Sequence, residues 1–158
     1  MKRTLLIIIF SVLLVGCSSS KATVSYDELN LKENIVCYNG NPYTGKFLDK
    51  YSDGSLSAQG NLEDGLLSGK VTTYYKNGNI KQEANYEKGK LNGRLTIFYE
   101  SGNVKWQENY WNDSLEGESL YFYESGAIAR KSNFKDGFPK GEWVYFYENG
   151  EVKEKRSY

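Results

Sequence analysis

Apolar and polar positions alternate over short runs in this chain, and the alternation itself recurs every 24 residues from Gly45 onward. Tyr51, Tyr75, Tyr99, Tyr123 and Tyr147 mark one column of that ruler. Leu56, Ile80, Val104, Ile128 and Val152 mark a second, and Leu62, Tyr86, Tyr110, Phe134 and Tyr158 a third. Glycines keep the same interval: Gly45, Gly69, Gly93, Gly117 and Gly141 lead each unit. A fixed period in so many columns predicts one supersecondary unit stacked on copies of itself. Each unit carries two turn signals. Asp53-Gly54, Asn77-Gly78, Ser101-Gly102, Ser125-Gly126 and Asn149-Gly150 form one series. Asp64-Gly65, Lys88-Gly89, Asn112-Asp113 and Asp136-Gly137 form the other. Such pairs supply the positive φ of tight hairpins, and Asp113 is of a type that tolerates the left-handed region. Two turns per unit give two antiparallel strands per unit. The fold class is all-β, an elongated single-layer antiparallel meander of about ten or eleven strands, roughly 50 Å long at ~4.8 Å per strand.

Register follows from the turns. With two loop residues at each turn, Tyr99 faces Val104, Ile97 faces Trp106, Tyr110 faces Leu115 and Trp106 faces Ser119. Opposed residues share a face. One face then holds Leu95, Ile97, Tyr99, Val104, Trp106, Tyr110 and Leu115, and a one-residue slip would scatter this set. The leading glycine lies on that face, where it marks a bulge, a bend or a ring lying over the backbone; neighbouring tyrosines and phenylalanines favour ring cover. The other face carries Lys81, Glu83, Asn85, Lys105, Gln107 and Asn109. The recurring Asn61, Asn85, Asn109 and Asn133 read as structural hydrogen-bonders beside the second turn, because asparagine is poor in strands. Tyr74, Phe98, Phe122 and Phe146 stand on this otherwise wet face. They are either cross-strand cover for long polar stems or a binding stripe, and they are the candidate binding residues.

Upstream, Ser25 to Leu31 suggests a short helix or turn with Ser25 as cap and Glu28 three residues on. Residues 34–38 read as a strand, Asn39-Gly40 as a hairpin turn, and residues 34–44 as a cap pairing with the first repeat strand. In the last strand, Glu154 and Arg156 place charge where edge-to-edge pairing must be blocked.

The N-terminus is an address. Met1-Lys2-Arg3 is a short positive segment, and Leu5 to Val15 is apolar but short of the roughly 20 residues of a membrane span. Leu14-Val15-Gly16-Cys17 resembles the bacterial lipobox. The resemblance implies cleavage before Cys17, acylation of Cys17 and, since Ser18 follows, the outer membrane in an organism that has one. The domains are then a signal peptide at 1–16, lipidated Cys17 and tether at 17–32, and the β-repeat domain at 33–158. Cys37 is left without an intramolecular partner and reads as a small buried hydrophobe.

Composition narrows the chemistry. Lys+Arg and Asp+Glu are both 20, so no bulk field favours nucleic acid. His is absent, which removes the commonest general base and metal ligand. Gly65-Leu66-Leu67-Ser68-Gly69-Lys70 is one residue short of a phosphate loop and lies on a hairpin. The Asp/Asn/Gly turns lack calcium-loop spacing, and no carboxylate pair stands out. The expectation is no enzyme, no cofactor and no metal.

Gly141-Glu142-Trp143-Val144-Tyr145-Phe146-Tyr147-Glu148-Asn149-Gly150, preceded by Asn133-Phe134-Lys135-Asp136-Gly137, resembles the MORN-repeat variant family. The resemblance covers about residues 40–158 as five copies, the last truncated. Asp49 and Lys50 stand in the first copy where rings stand later, which suits a capping unit. The family implies membrane attachment and scaffolding, and some bacterial members look like antitoxin components. The expected function is a lipid-anchored module binding a protein or an envelope polymer; the alternative is an antitoxin- or immunity-like component sequestering an exported toxin, since an exported lipoprotein cannot act on a cytosolic one.

Overall fold

A computed structural model describes residues 23–158. Its strands are β1 (Val24–Ser25), β2 (Asn30–Lys32), β3 (Ile35–Tyr38), β4 (Asn41–Pro42), β5 (Gly45–Lys50), β6 (Leu56–Glu63), β7 (Leu66–Leu67), β8 (Gly69–Tyr74), β9 (Ile80–Glu87), β10 (Lys90–Phe98), β11 (Val104–Trp111), β12 (Ser114–Leu115), β13 (Gly117–Phe122), β14 (Ile128–Lys135), β15 (Phe138–Phe146) and β16 (Val152–Ser157). One 13-stranded sheet runs β1-β5-β6-β8-β9-β10-β11-β13-β14-β15-β16, with the short β7 and β12 beside it. The repeat strands form an antiparallel meander, as the periodicity predicts.

The second turn of each repeat is the expected two-residue hairpin. Asp64 and Gly65 have φ of 50° and 78°, and Asn112 and Asp113 have 48° and 69°. Tyr110 faces Leu115 as the pattern requires. The first turn differs. The Gly102 N–H donates to the Tyr99 carbonyl at 2.9 Å and the Tyr99 N–H to the Asn103 carbonyl at 2.8 Å. This is a three-residue loop closed by a glycine in the left-handed region, φ 97° at Gly102. A β-bulge follows it, so Phe98 faces Val104 while Ile97 still faces Trp106. The expected Tyr99–Val104 pair does not form.

That bulge corrects the face assignment. Val104 leaves the face of Ile97 and Trp106 and joins Phe98. The same shift pairs Tyr74 with Ile80, Phe122 with Ile128 and Phe146 with Val152. The rings thus have aliphatic partners directly across the strand, the kind of pair that stabilises sheets.

A second irregularity surrounds the leading glycine. Trp106 faces Tyr121 rather than Ser119, because the strand carries two extra residues between Leu115 and Tyr121. An even slip preserves the face. Gly69, Gly117 and Gly141 sit at φ 74°, 80° and 70°, and a Cβ on any of them would meet nothing within 4 Å. The glycine is therefore a bulge hinge, not a residue under a ring. Ring cover occurs instead at Gly60, where a Cβ would lie 2.8 Å from Phe47 Cε1.

Repeats are tied by a tyrosine ladder. Tyr51, Tyr75, Tyr99 and Tyr123 donate their hydroxyls to the carbonyls of Tyr74, Phe98, Phe122 and Phe146 at 2.6, 2.7, 2.7 and 2.8 Å. Each bond joins one repeat to the next. Of the asparagine column, Asn85 donates its side-chain amide to the Arg94 carbonyl at 3.0 Å. Asn61 and Asn109 contribute their backbone carbonyls, which accept from the N–H groups of Ser68 and Glu116 at 3.0 and 2.8 Å.

The N-terminal elements cap the array. Tyr26–Glu28 is one 3₁₀ turn, with the Glu28 carboxylate 3.4 Å from the Ser25 N–H. The strand added to β5 is β1, in parallel, and not residues 34–44. Those residues form β3 and β4 of a separate three-stranded sheet with β2. It docks on the second turn of the first repeat: the Val36 N–H donates to the Gly65 carbonyl and the Gly65 N–H to the Tyr43 carbonyl, at 2.9 and 2.8 Å. Residues 24–32, grouped by the sequence with the tether, thus hold β1, the 3₁₀ turn and β2. Val24, Tyr43, Phe47 and Leu62 form a buried core here, and Cys37 is buried in β3. Cys17 and the signal-like segment lie outside the described residues.

Candidate binding surface

Because the same pairing recurs from repeat to repeat, one row of side chains crosses the repeat strands. It runs Asp49, Ala58, Thr73, Gln82, Ile97, Trp106, Tyr121, Arg130, Tyr145 and Glu154, each facing the next across a strand pair. The chemistry changes along it. The early half mixes Asp49, Ala58, Thr73, Gln82 and Ile97, and of these Ala58 packs against the Phe47 core. From Trp106 the row becomes aromatic and cationic.

Arg130 stands at the centre of that second half, flanked in register by Tyr121 and Tyr145. Its guanidinium lies over the Trp106 ring at 5.7 Å and over the Trp143 ring at 5.3 Å, each within cation–π range. Among the described residues it forms no ion pair or hydrogen bond, and its Nε is buried without a partner. A cleft of about 380 Å³ opens beside it, lined by Trp106, Tyr121, Tyr123, Arg130, Tyr145 and Lys153 among others.

A polar network holds this floor. Glu108, buried, accepts from Tyr110 Oη at 2.8 Å and from Ser119 Oγ at 3.1 Å. Ser119 Oγ accepts in turn from Trp106 Nε1 at 3.1 Å, which fixes that indole where it contacts Arg130. Burial, followed by the Glu108 hydrogen bond and charge, pushes the Tyr110 phenol up to about 12. Burial likewise leads the rise of Tyr99 to about 12, with Tyr121 adding to it. Trp143 packs between Phe134 and Tyr158, at ring distances of 5.1 and 4.5 Å, and donates Nε1 to the Asn133 carbonyl at 3.2 Å.

The ring stripe named from sequence faces away from the Arg130 row, although Phe146 also borders its cleft. Tyr74, Phe98, Phe122 and Phe146 are half-buried and face Ile80, Val104, Ile128 and Val152 across the strand, of which Ile128 and Val152 remain exposed. A cleft of about 560 Å³ on that face has a mixed polar and apolar lining. In it Lys70 pairs with Glu83, and Gln59 donates to Tyr74 Oη at 2.5 Å. Sequence reading missed Arg130, Trp143 and Glu108. The available signal was divergence within a column: Ala58, Gln82, Trp106, Arg130 and Glu154 occupy one column, and Gly60, Ala84, Glu108, Ser132 and Arg156 another. A column that varies while its flanks repeat is not fixed by the repeat's own geometry.

An open array of two-strand repeats, hinged at Gly69, Gly117 and Gly141 on left-handed glycines and tied to one another by tyrosines, defines a solenoid-like β-repeat protein. The MORN repeat variant family profile matches residues 67–88, 91–112, 115–136 and 139–158, and the chain belongs to that family. The first copy lies outside these matches yet keeps the geometry, with Asp49 facing Ala58 and Lys50 facing Leu56 across the same bulge. Comparison with curated proteins finds no match.

Proposed function

We propose that this chain is a non-enzymatic, lipid-anchored binding module of the bacterial envelope that engages a protein partner through the face bearing Trp106, Tyr121, Arg130 and Tyr145. The carrying observation is the cluster of Trp106, Tyr121, Arg130 and Tyr145 in successive positions of one register row, beside an open cleft, where the earlier repeats place Ala58, Thr73 and Gln82. Trp, Tyr and Arg are the residue types that dominate interface hot spots. Acylation of Cys17 supplies the anchor. The partner is an envelope protein; an exported toxin held by the same surface is the antitoxin- or immunity-like version.

Affinity capture from detergent-solubilised membranes, with Trp106→Ala as the paired control, tests the surface. Partners lost from the Trp106→Ala sample support it, and a single stoichiometric toxin-like partner selects the second version. Identical captures from both samples overturn the assignment. Cys17→Ser tests the anchor separately: a variant that still fractionates with membranes removes the lipoprotein reading.

A further inference from the structure

We infer that the Arg130 cleft is a receptor for a carboxylate side chain of an acidic, apolar-flanked peptide segment of the protein partner. This rests on the binding reading above and specifies the partner's chemistry.

A guanidinium has five N–H donors in a planar fork that matches a carboxylate through two parallel bonds. Arg130 uses none of them on the described residues; its Nε is buried, which leaves the two terminal nitrogens to an incoming carboxylate, and its guanidinium lies over the two indoles. Contact with two indole rings restrains the group without consuming its donors. Such a group is pre-organised for an in-plane anion, which reduces the ordering cost of binding. Glu108, on the same face, accepts from Tyr110 and Ser119 and forms no ion pair with Arg130 among the described residues. Lys153 adds a second cation at the rim of the cleft while its own ammonium lies over the Tyr147 ring at 5.6 Å.

The rest of the lining selects among carboxylates. Trp106, Tyr121, Tyr123, Ala129, Tyr145 and Phe146 complete it, and none of these is an Asp, Glu, Asn or Gln. A glycan needs side-chain acceptors for its row of hydroxyl donors, and the cleft offers only phenol oxygens. An acidic residue with apolar neighbours needs a cation and ring faces, and the cleft offers both. A volume of about 380 Å³ lies near the low end of ligand sites, roughly 300–1,000 Å³, and holds one or two side chains.

The test uses the full-length chain and fluorescein-labelled heptapeptides carrying one glutamate between leucines, with matched peptides in which glutamine replaces glutamate. Fluorescence anisotropy is read at low and high salt. The glutamate peptide is expected to bind at least 10-fold more tightly than its glutamine partner, and the difference is expected to shrink as salt rises. Arg130→Gln should erase the discrimination, Arg130→Lys should retain part of it, and the exposed Lys153→Ser should weaken it without changing the fold. Circular dichroism of each variant separates lost binding from lost structure. Equal affinity for both peptides, or no binding of either, overturns the carboxylate assignment. Binding of a uronic-acid oligosaccharide in place of the peptides overturns the peptide assignment. Membrane capture that depends on Trp106 but not on Arg130 leaves the binding surface standing and removes the carboxylate receptor alone.

Discussion

Three glycine-to-alanine substitutions should cost different amounts for three separable reasons. At Gly117, φ is 80° and an added Cβ meets nothing within 4 Å. Only the left-handed backbone is penalised, by about 1–2 kcal/mol, offset by about 0.4–1 kcal/mol from the restricted unfolded chain. The net is roughly 1 kcal/mol. At Gly60 there is no positive φ, but the Cβ would lie 2.8 Å from Phe47 Cε1 and 2.9 Å from Val71 Cγ2. Phe47 belongs to the buried core and has little room to retreat, so overpacking costs about 1–3 kcal/mol. At Gly65 both penalties coincide: φ is 78°, and the Cβ would press on Ile35 Cγ2 and stand 2.7 Å from the Val36 carbonyl oxygen. That segment carries the bonds that dock the N-terminal sheet, and a loss on the order of 3–4 kcal/mol is expected. Urea unfolding followed by circular dichroism reads all three, at about 0.5 M of midpoint per kcal/mol for an m-value near ~2 kcal/mol/M. Gly117→Asn should recover part of the Gly117→Ala loss, because asparagine tolerates this φ. An asparagine no better than alanine, or a Gly117→Ala loss above that of Gly60→Ala, would refute the bulge-hinge account and return ring cover to Gly117.

Tyr99→Phe removes the 2.7 Å bond to the Phe122 carbonyl and should lower stability by about 1 kcal/mol, whereas Tyr147→Phe, with no such bond, should be neutral; equal melting temperatures for the two variants would dissolve the ladder. Phe122→Ser removes a half-buried ring facing Ile128 and should cost about 2 kcal/mol while leaving partner capture intact, and lost capture from a fully folded variant would make the ring stripe a binding surface after all. Raising pH should destabilise the fold across the window from 10 to about 12, set by Tyr99 and Tyr110: the unfolded phenols ionise first, the folded ones keep their protons, and stability falls as pH climbs. Tyrosinate absorbance against pH checks this, and a single titration at the ordinary phenol value with no late component would contradict it.

The two-strand repeat, its antiparallel meander and the second turn were legible because each rests on residues with few conformational options. Asn112-Asp113 must turn, and Tyr110 must then face Leu115. The first turn misled because Ser101-Gly102 is compatible with both a two- and a three-residue loop, and the choice decides which face receives Val104. One residue of loop length therefore moved an entire aliphatic column to the other face and gave Phe98 and Phe122 partners that the pattern had withheld. The leading glycine was ambiguous for a related reason: a sequence shows the absence of a side chain, not whether φ or a neighbour demands it.

The binding floor was illegible by construction. A search for periodic residues finds what the repeat needs, which is the scaffold. Gly117, Tyr123 and Gly126 recur because every copy must hinge, ladder and turn. Arg130 does not recur, since Ala58, Gln82, Trp106 and Glu154 hold its column elsewhere. Nothing in the repeat's own folding demands a guanidinium there, and desolvating its Nε without a partner is a cost. Packing does not explain that cost: the alanine and glutamine of the earlier copies occupy the same register position. A residue that departs from its column, lies on the open part of a face, leaves its donors unpaired and is held in place by two indoles is positioned for something outside the chain. In a repeat array the periodic columns account for the fold, and function is sought in the columns that break the period.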